Sequence, residues 1–585
     1  MRLETYLSER VSAGLYAILG VENAPALLRR TQHKAHGDYQ INALLPLAKK
    51  LGQAPRALGE ALLPVLMEEP AVARAEVAGP GFVNLHLDVA WLAQHVLLPA
   101  YVDPDRLDVE KVTEVKRVVV DFSSPNVAKE MHVGHLRSTI LGDALVRLLR
   151  LVGHEVIGDN HLGDWGTQFG LILAHMERFG SGAGLGQDAV AALERIYKEA
   201  SALAGEDEDF AASGRAALAE LQAGDADKKL LWQQCIAATR QALDANYDRL
   251  GIHFDLTLGE SAYHDALPGV IETLRRRGLA REDAGALCVF VHELEGVPAA
   301  LKKVKTPFIV QKRDGAFLYS TTDIATALDR HARLQADVAL YVVDARQSLH
   351  FRQLFAVCAA LDVPLEMVHV AFGAILDAHG KPLKTRDGGT IRLRDLLDEA
   401  QERARRIIEA QGLEIDAGAV EAVARSVGIG AVKYADLRQN RLSDYQFDWD
   451  KMLSFHGNAG PYLQYAYART ASILRKAEAR GIGLPAACDL DAVALTGAES
   501  AERELMQVLA RFADVVHHAA QQYEPHLLTD HLYALARHFS ALYEQCPILR
   551  AEGSRQRWRL MLVALCGQQL KLGLRTLGID VVERM

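Results

Sequence analysis

The sequence predicts an α/β protein with a small α/β unit at its start, a parallel-sheet domain in the middle and an all-helical C-terminal domain. The first 110 residues carry their own helix and strand patterns, strands and helices alternate from about residue 115, and nearly every pattern after Leu393 is helical. Strand–helix–strand alternation is typical of a parallel sheet that binds its ligand at the carboxyl ends of the strands. We therefore predict domains at 1–112, 113–395 and 396–585.

The N-terminal unit is predicted from three amphipathic patterns and one strand. Helices are expected at residues 1–19, 41–51 and 57–66, and residues 82–87 alternate apolar and polar side chains as a half-buried strand does. A Gly79-Pro80-Gly81 turn leads into this strand. The charge-mixed stretch 103–114 is expected to link this unit to the next domain.

The central domain is predicted from the order of its patterns. A strand near residues 115–122, a helix over 136–152 and a strand near 155–158 form the first βαβ unit. Residues 171–250 are helical in pattern, with an acidic run at 205–209 that we interpret as a solvated loop or helix end. Further strands are expected at residues 287–291, 308–311, 338–343 and 367–375. The patterns predict a Rossmann-type catalytic sheet with a helical insertion at about 171–310.

Composition places the chain among ordinary globular proteins. Half of its 585 residues are hydrophobic, and its mean hydropathy is zero. The sequence lacks a secretory signal pattern and an apolar stretch near 18 residues, so we expect a cytoplasmic protein that does not span a membrane. Its six cysteines lie far apart without a C-x-x-C pair, which predicts buried reduced thiols and no structural zinc.

The net charge of −10 argues against non-specific binding to nucleic acid. The acidic excess lies upstream of residue 401, because residues 401–585 hold 22 basic and 22 acidic side chains. A neutral, arginine-rich C-terminal region can still present a basic face. The charge therefore does not exclude an RNA partner.

The most informative motif is His132-Val133-Gly134-His135, at the transition from the first predicted strand of the sheet to its helix. Imidazole N–H groups can donate to phosphate oxygens, glycine lets the backbone approach closely, and a helix N-terminus adds free amides and the positive end of its dipole. The motif therefore indicates a polyphosphate site and adenylate formation from ATP. Taken alone, it could also be two surface histidines near a helix start.

The surrounding residues favour the phosphate site. Residues 124–139, SPNVAKEMHVGHLRST, resemble the ATP-binding signature of class I aminoacyl-tRNA synthetases, in the version found in the arginyl-tRNA synthetase family. Residues 160–170, NHLGDWGTQFG, are similar to a long stretch specific to that family. The resemblance, which is to the bacterial type, implies a monomer that uses ATP with Mg²⁺, L-arginine and tRNA(Arg).

A second phosphate element is predicted at residues 380–386, GKPLKTR, where three cations lie within six residues. Cations on such a loop can follow the charge as it shifts onto leaving pyrophosphate. Lys381 and Lys384 keep the lysine spacing of the KMSKS loop of class I synthetases, in a degenerate form, and a basic surface turn is the alternative. The resemblance implies that Lys129, just before the histidine motif, can substitute. Which lysine dominates stays open.

Recognition of a guanidinium requires anionic and amide acceptors, because arginine offers five donors and no acceptor. Loops beside the predicted strands supply such groups near residues 126, 259–261, 319–323 and 346–347. The resemblance implies that Glu260 and Asp323 neutralise the guanidinium, although Asp323 could instead be a helix N-cap. Tyr319 and Gln347 would then orient the guanidinium, and Asn126 would hold the α-amino or carboxylate end.

Two regions are candidates for RNA contact. Tyr462, Tyr465 and Arg469 combine aromatic rings with a cation, which can stack on unpaired bases, although tyrosines at helical spacing could equally be core. Their segment resembles the anticodon-binding domain of the family. Phe82 and Asn84 point to one face of a strand and match the aromatic-x-Asn pair that reads a D-loop base in the family. Core packing is the alternative for Phe82.

Three rival functions make different predictions. Another class I synthetase would need a pocket without two carboxylates, or a large editing insertion or zinc site. A non-catalytic tRNA-binding paralogue predicts lost phosphate histidines, and a nucleotidylyltransferase normally lacks long RNA-binding flanks. The chain retains His132 and His135 and has such flanks, so we predict arginine activation and its transfer to tRNA(Arg).

Overall fold

The structure is a computed structural model and describes residues 1–22, 24–31, 36–180, 189–383, 391–411, 418–491, 495 and 497–585. Its contacts divide the chain into two compact units. Unit one comprises Met1–Val112, Ile408–Gly430 and Ser454–Met585, and unit two comprises Thr113–Ile407 and Ala431–Leu453. Residues 431–453 thus belong to the same unit as the parallel sheet, and the three predicted domain boundaries stay a prediction.

Unit one begins with helices packed on an antiparallel sheet. The elements are α1 (Leu3–Leu19), β1 (Leu28–Arg30), β2 (Tyr39–Ile41), α2 (Leu44–Leu51), α3 (Pro55–Met67), β3 (Val72–Ala78), β4 (Phe82–Leu87), α4 (Val89–Leu92) and α5 (Leu98–Val102). The strand order is β1-β2-β4-β3.

Most of the predicted N-terminal elements are confirmed, with two corrections. The helix expected at 41–51 begins only at Leu44, because β2 pairs with β4 through Tyr39↔Leu85 and Ile41↔Val83. Residues 103–114 form neither helix nor strand, as expected of a linker. Leu107 and Val109 within it are nevertheless buried, so part of the linker is packed rather than solvated.

Unit two contains the predicted parallel sheet. Its elements are β5 (Arg117–Asp121), α6 (Val133–Leu151), β6 (Glu155–Leu162), α7 (Thr167–Phe179), α8 (Ala189–Glu206), α9 (Glu208–Gln222), α10 (Ala226–Leu250), β7 (Leu256–Gly259), α11 (Leu267–Arg276), β8 (Ala280–Asp283), β9 (Ala286–Val289), α12 (Ala299–Lys302), β10 (Phe308–Gln311), α13 (Tyr319–Ala332), β11 (Val338–Tyr341), α14 (Ser348–Ala360), β12 (Glu366–His369) and β13 (Ile375–Leu376). The parallel strands follow the order β12-β11-β5-β6-β7.

Two predictions for this unit are refined or wrong, and a third is confirmed. Two of the predicted strands correspond to β9 and β10, which lie in a separate antiparallel sheet of order β10-β9-β8. The continuous strand expected at 367–375 is wrong, because β12 and β13 belong to different sheets. The acidic run at 205–209 is confirmed as a helix junction, since α8 ends at Glu206 and the Asp207 carboxylate accepts from Phe210 N at 3.0 Å, capping α9.

Among the described residues from 391 onward, the regular elements are helical, as predicted, apart from one short strand. It contains α15 (Leu393–Gln411), α16 (Val420–Leu437), β14 (Tyr445–Gln446), α17 (Trp449–Met452), α18 (Gly460–Glu478), α19 (Ser500–Leu509), α20 (Phe512–Gln522), α21 (His526–Gln545) and α22 (Gly553–Thr576). Strand β14 pairs in parallel with β13, through Ile375↔Tyr445 and Leu376↔Gln446.

The structure also bears on the predicted cysteine burial, on membrane-spanning helices and on metal-binding clusters. All six cysteines are free thiols and five are buried, but Cys488 is exposed, so the prediction of burial is wrong for this residue. Within the part of the chain that the structure describes, no helix is both long and apolar enough to cross a lipid bilayer. Nor do the same residues bring three or more His, Cys, Asp or Glu side chains together in a metal-binding cluster.

Candidate active site

A strained loop leads from β5 to the histidine motif. Ser123, Ser124 and Ala128 have φ angles of 70°, 45° and 64°, in the left-handed region that non-glycine residues rarely adopt. Each such residue costs of the order of 1 kcal/mol, and surrounding contacts must hold it in place. Ser123 N donates to Ser138 Oγ at 2.9 Å, and Ala128 N donates to Thr239 Oγ1 at 3.1 Å. These two hydrogen bonds therefore stabilise the strained backbone conformation of the loop.

The two histidines cap helix α6, which explains why the helix begins at Val133 and not at the predicted residue 136. Gly134 N donates to His132 Nδ1 at 3.0 Å, and His132 N donates to His135 Nδ1 at 3.2 Å. The ring centroids lie 4.0 Å apart. A Cβ at residue 134 would lie 2.7 Å from His132 Cε1, so only glycine allows the ring to fold back over the helix start.

These contacts fix the proton positions of the pair. Because each Nδ1 accepts a backbone hydrogen bond, each neutral ring carries its proton on Nε2. Burial lowers the pKa of His132, and burial together with the neighbouring His132 lowers the pKa of His135 to about 3. Both rings are thus neutral at pH 7 and offer Nε2–H donors, which suits phosphate oxygens without adding positive charge.

The predicted second phosphate element, residues 380–386 and here called the lysine loop, begins as a tight hairpin. Asp377 N donates to Lys381 O at 2.7 Å, Lys381 N donates to Asp377 Oδ1 at 2.9 Å, and Gly380 turns the chain at φ 73°. The Lys381 side chain is exposed just after this turn. Lys384 lies outside the described residues, as do the last two residues of the predicted loop, Thr385 and Arg386.

The lysine loop is anchored on both sides. Before it, β13 pairs with β14, and Ala374 N donates to Asp444 Oδ1 at 2.6 Å. After it, the chain passes beside the histidine motif, where Val133 N donates to Ile391 O at 3.0 Å and Leu393 N donates to Met131 O at 2.9 Å. The described chain that follows the loop, from Ile391 onward, is therefore hydrogen-bonded to the histidine motif and the residue before it.

Lys129 also lies near the motif. Its Nζ is 5.0 Å from the centroid of the Tyr197 ring, and its charge contributes to lowering the pKa of His132. Lys129 lines a cavity of about 350 Å³ together with Arg249 and Arg394. Of the candidate lysines that the structure describes, Lys129 precedes the histidine motif by three residues, and Lys381 lies in the hairpin that follows β13.

The stretch at 160–170 supports the loop that carries Asn126. Gly163 N donates to Pro125 O at 3.1 Å, and Val127 N donates to Gly163 O at 2.9 Å. Asn126 itself is exposed, and a Cβ on residue 163 would lie 2.1 Å from Asn126 Oδ1. A side chain at 163 would therefore displace the Asn126 amide from its present position.

The next residue in that stretch, Asp164, supports the loop that carries Glu260. Its carboxylate accepts from Ser261 N at 2.9 Å and from Ser261 Oγ at 2.6 Å. A Cβ on Gly259 would lie 1.9 Å from Asp164 Oδ2, so this loop also approaches closely. Sequence reasoning used Asp164 only as part of a family signature, since nothing in its local pattern shows which distant loop it holds.

Three of the five predicted arginine contacts come together. Burial raises the pKa of Glu260 to about 8, helped by the charges of Asp323 and Asp164. Burial and the nearby Glu260 also raise the pKa of Tyr319. Asp323 follows Tyr319 by one helical turn on the same face of α13. The N-cap alternative for Asp323 is wrong, because α13 begins at Tyr319 with Leu318 as its cap.

The turn after β11 brings a further residue to Asp323. Gln347, the predicted orienting residue, is exposed in the turn that Asp344 caps by accepting from Arg346 N at 2.8 Å. Three residues later, His350 Nε2 lies 2.6 Å from Asp323 Oδ2. Sequence reasoning missed His350, although it stands only three positions from a predicted site residue.

A buried ion network lies below these carboxylates. Arg330, on the same helix as Tyr319 and Asp323, is fully buried, and its NH2 donates to Asp121 Oδ2 at 2.6 Å and to Asp159 Oδ2 at 2.8 Å. Burial alone raises the pKa of Asp121, but the Arg330 guanidinium outweighs it and lowers that pKa. The network ties α13 to the carboxyl end of β5 and to the middle of β6.

Comparison with known proteins identifies the family. The catalytic domain described as "tRNA synthetases class I (R)" matches residues 98–449, the DALR anticodon binding domain matches 463–585, and the arginyl tRNA synthetase N terminal domain matches 3–87. The chain is 45% identical to an arginine–tRNA ligase of Klebsiella pneumoniae, over 100% of both chains. The chain belongs to the arginyl-tRNA synthetase family. The crystal structure of Plasmodium falciparum arginyl-tRNA synthetase matches 99% of each chain with a TM-score of 0.83 at 26% identity, and the Thermus thermophilus enzyme matches 100% of each with the same score and identity.

In this synthetase the predicted D-loop residues share one strand but differ in exposure. Asn84 is buried, and its Oδ1 accepts from Gln40 Nε2 at 2.9 Å. Phe82 is half-buried and lines a cavity of about 670 Å³ together with Arg29 and Arg30. Of the two residues, Phe82 therefore lines the cavity and Asn84 does not.

The predicted anticodon residues of the synthetase lie on one face of α18. The Arg469 guanidinium lies 4.9 Å from the ring centroid of Tyr465 and 4.9 Å from that of Tyr543. Tyr462 meets Tyr533 edge-on, with centroids 5.9 Å apart. Tyr462 and Tyr465 are half-buried rather than core, so their rings retain surface that a base could stack against.

Proposed function

We propose that this enzyme activates L-arginine with Mg–ATP to arginyl-adenylate and transfers the arginyl group to the 3′-terminal adenosine of tRNA(Arg). The observation that carries the proposal is the acidic pocket of Glu260 and Asp323 in the same unit as the histidine-capped helix. Two carboxylates match the planar guanidinium, and the histidine motif at the start of α6 matches the phosphates.

The first step needs no general base, because the carboxylate of arginine is already an anion at neutral pH. One of its oxygens forms a bond to the α-phosphorus of ATP, and the bond from that phosphorus to the bridging oxygen of pyrophosphate breaks. The Nε2–H groups of His132 and His135 donate to phosphate oxygens. Lys381, Lys384 or Lys129 supplies positive charge to the leaving pyrophosphate, and Mg²⁺ enters as part of the substrate.

The acidic pocket supplies specificity for arginine. Glu260 and Asp323 accept from the guanidinium, Tyr319 and Gln347 orient it, and Asn126 binds the α-amino or carboxylate end. An uncharged analogue would gain no ion pair with Glu260 and Asp323, so the pocket favours arginine over it. The site therefore discriminates without an editing step.

The second step transfers arginine to a terminal hydroxyl of tRNA. The 2′-hydroxyl oxygen forms a bond to the carbonyl carbon of the adenylate, the bond from that carbon to the phosphate oxygen breaks, and AMP and the hydroxyl proton leave. We propose that Tyr462, Tyr465 and Arg469 stack on the anticodon loop and that Phe82 and Asn84 contact the D-loop. A monomeric state and a cytoplasmic location remain predictions from the sequence.

Pyrophosphate exchange tests the proposed activity. With labelled pyrophosphate and tRNA(Arg) present, the purified full-length enzyme is expected to exchange label into ATP only with L-arginine among the standard amino acids. The resemblance implies that omitting tRNA abolishes this exchange. Exchange supported by lysine or glutamine, and not by arginine, would contradict the proposal.

The raised pKa of Glu260 predicts a pH dependence of arginine use. Below pH 8 the empty pocket holds Glu260 protonated, whereas a bound guanidinium favours the carboxylate, so binding releases a proton. The KM for arginine is expected to fall by up to about tenfold per pH unit between pH 6 and pH 8, and to level off above it. The KM for ATP, measured in parallel, should not follow this profile.

Two variants complete this pH test. Glu260→Gln should raise the KM for arginine and remove its dependence on pH, because the amide does not titrate. Glu272→Gln, an exposed position on α11, should retain the wild-type profile. An arginine KM that does not change with pH in the wild-type enzyme would contradict the ionisation of Glu260 on binding.

A further inference from the structure

His350 is held in a fixed orientation beside the acidic pocket. It is the third residue of α14, and its ring packs against Phe308 and Phe351, with centroid distances of 5.6 and 5.5 Å. Its Nε2 lies 2.6 Å from Asp323 Oδ2, and the side chain is 30% exposed. The two phenylalanine rings restrict the imidazole plane, so Nε2 remains aimed at the carboxylate.

We propose that His350 is a positioning residue that orients the Asp323 carboxylate for the guanidinium of arginine, an inference that rests on the proposed function. His350 engages Oδ2 and thereby fixes the carboxylate plane, which leaves Oδ1 to accept from the substrate. A guanidinium donates through a rigid planar fork, so its binding depends on that plane more than binding of a rounded ammonium does.

The orientation matters because α13 alone does not fix it. The backbone of α13 places the Asp323 Cα, but the terminal torsion of an aspartate is broad and lets its carboxylate rotate. A hydrogen bond from a neighbouring helix removes that freedom before substrate arrives. Pre-organisation of this kind lowers the cost of ordering the site and contributes to substrate affinity.

Two substitutions separate the hydrogen bond from the shape of the ring. His350→Phe keeps an aromatic ring between Phe308 and Phe351 but removes the donor. His350→Gln keeps an N–H donor near the place of Nε2 but removes the ring. In arginine-dependent pyrophosphate exchange, His350→Phe is expected to raise the KM for arginine about tenfold, the effect of losing one hydrogen bond to a charged group. His350→Gln should stay within about threefold of wild type, and the KM for ATP should not change in either variant.

Three other outcomes would each contradict the proposal. A wild-type arginine KM in His350→Phe would show that the hydrogen bond does not position Asp323. An equal rise in both variants would assign the effect to the ring, and a rise in both KM values with a lowered thermal midpoint would make His350 a structural residue. Failure of the wild-type enzyme to use arginine at all would instead reject the proposed function, so the two failures are distinguishable.

Discussion

Asp323→Ala is expected to lower kcat/KM for arginine by about two to three orders of magnitude, because truncating one partner of a charge pair that substrate binding encloses costs about 2–5 kcal/mol. Asp323 is one of two carboxylates proposed to bind the guanidinium, and the other, Glu260, cannot supply both sets of acceptors. Pyrophosphate exchange with arginine measures the loss. Binding of tRNA, measured by filter retention, should be unchanged, because the proposed RNA contacts lie in unit one and Asp323 lies in unit two.

Asp329→Ala is the matched control for this prediction. Asp329 lies on the same helix, where its carboxylate accepts from Arg333 Nε at 2.9 Å, outside the proposed pocket. Its removal should leave the arginine KM near that of the wild-type enzyme. If Asp323→Ala retained normal arginine activation, the assignment of α13 to the arginine pocket would be wrong.

Arg330→Leu is expected to destabilise unit two by about 3–5 kcal/mol, the usual cost of breaking a buried ion pair on one side. Leucine fills part of the volume but leaves Asp121 and Asp159 buried together without a cation. Thermal or urea unfolding followed by circular dichroism measures the shift in midpoint. Neutralising one carboxylate as well, in Arg330→Leu with Asp159→Asn, should restore part of the lost stability.

Arg333→Leu provides the comparison at an exposed ion pair next to the end of the same helix. Its guanidinium pairs with Asp329 at 2.7 Å, and its side chain is 49% exposed. Exposed pairs contribute about 0–1 kcal/mol, so this variant should unfold close to wild type. Equal stability of Arg330→Leu and wild type would show that the buried network does not hold α13 in place.

Local pattern was sufficient to predict the elements that depend on neighbouring residues. The apolar run Val118–Val120 predicted a buried parallel strand, and the amphipathic segment after His135 predicted α6. The helical C-terminal region followed in the same way. The missed strands include β3, in which alanines interrupt the apolar pattern, and β14, which has two residues and pairs with the distant β13.

The candidate site also contains residues that local pattern predicts and residues that depend on distant parts of the chain. His132 and His135 were predictable because a helix start and a phosphate site have local signatures. Glu260, Tyr319 and Asp323 came from family resemblance, and the structure adds that they lie together. The residues that hold them, Asp164 and His350, act across long sequence separations, so no local pattern identifies them.

The anchoring of the lysine hairpin has a consequence for synthesis on the ribosome. The histidine motif is translated early, but the hairpin needs residues 391–393 and then β14 before both of its anchors exist. Because domains fold in the order in which their chain emerges, an incomplete polypeptide carries His132 and His135 without the anchored hairpin. Nascent chains that end before residue 446 therefore lack the β13–β14 anchor of the hairpin, which forms only once most of unit two has been translated.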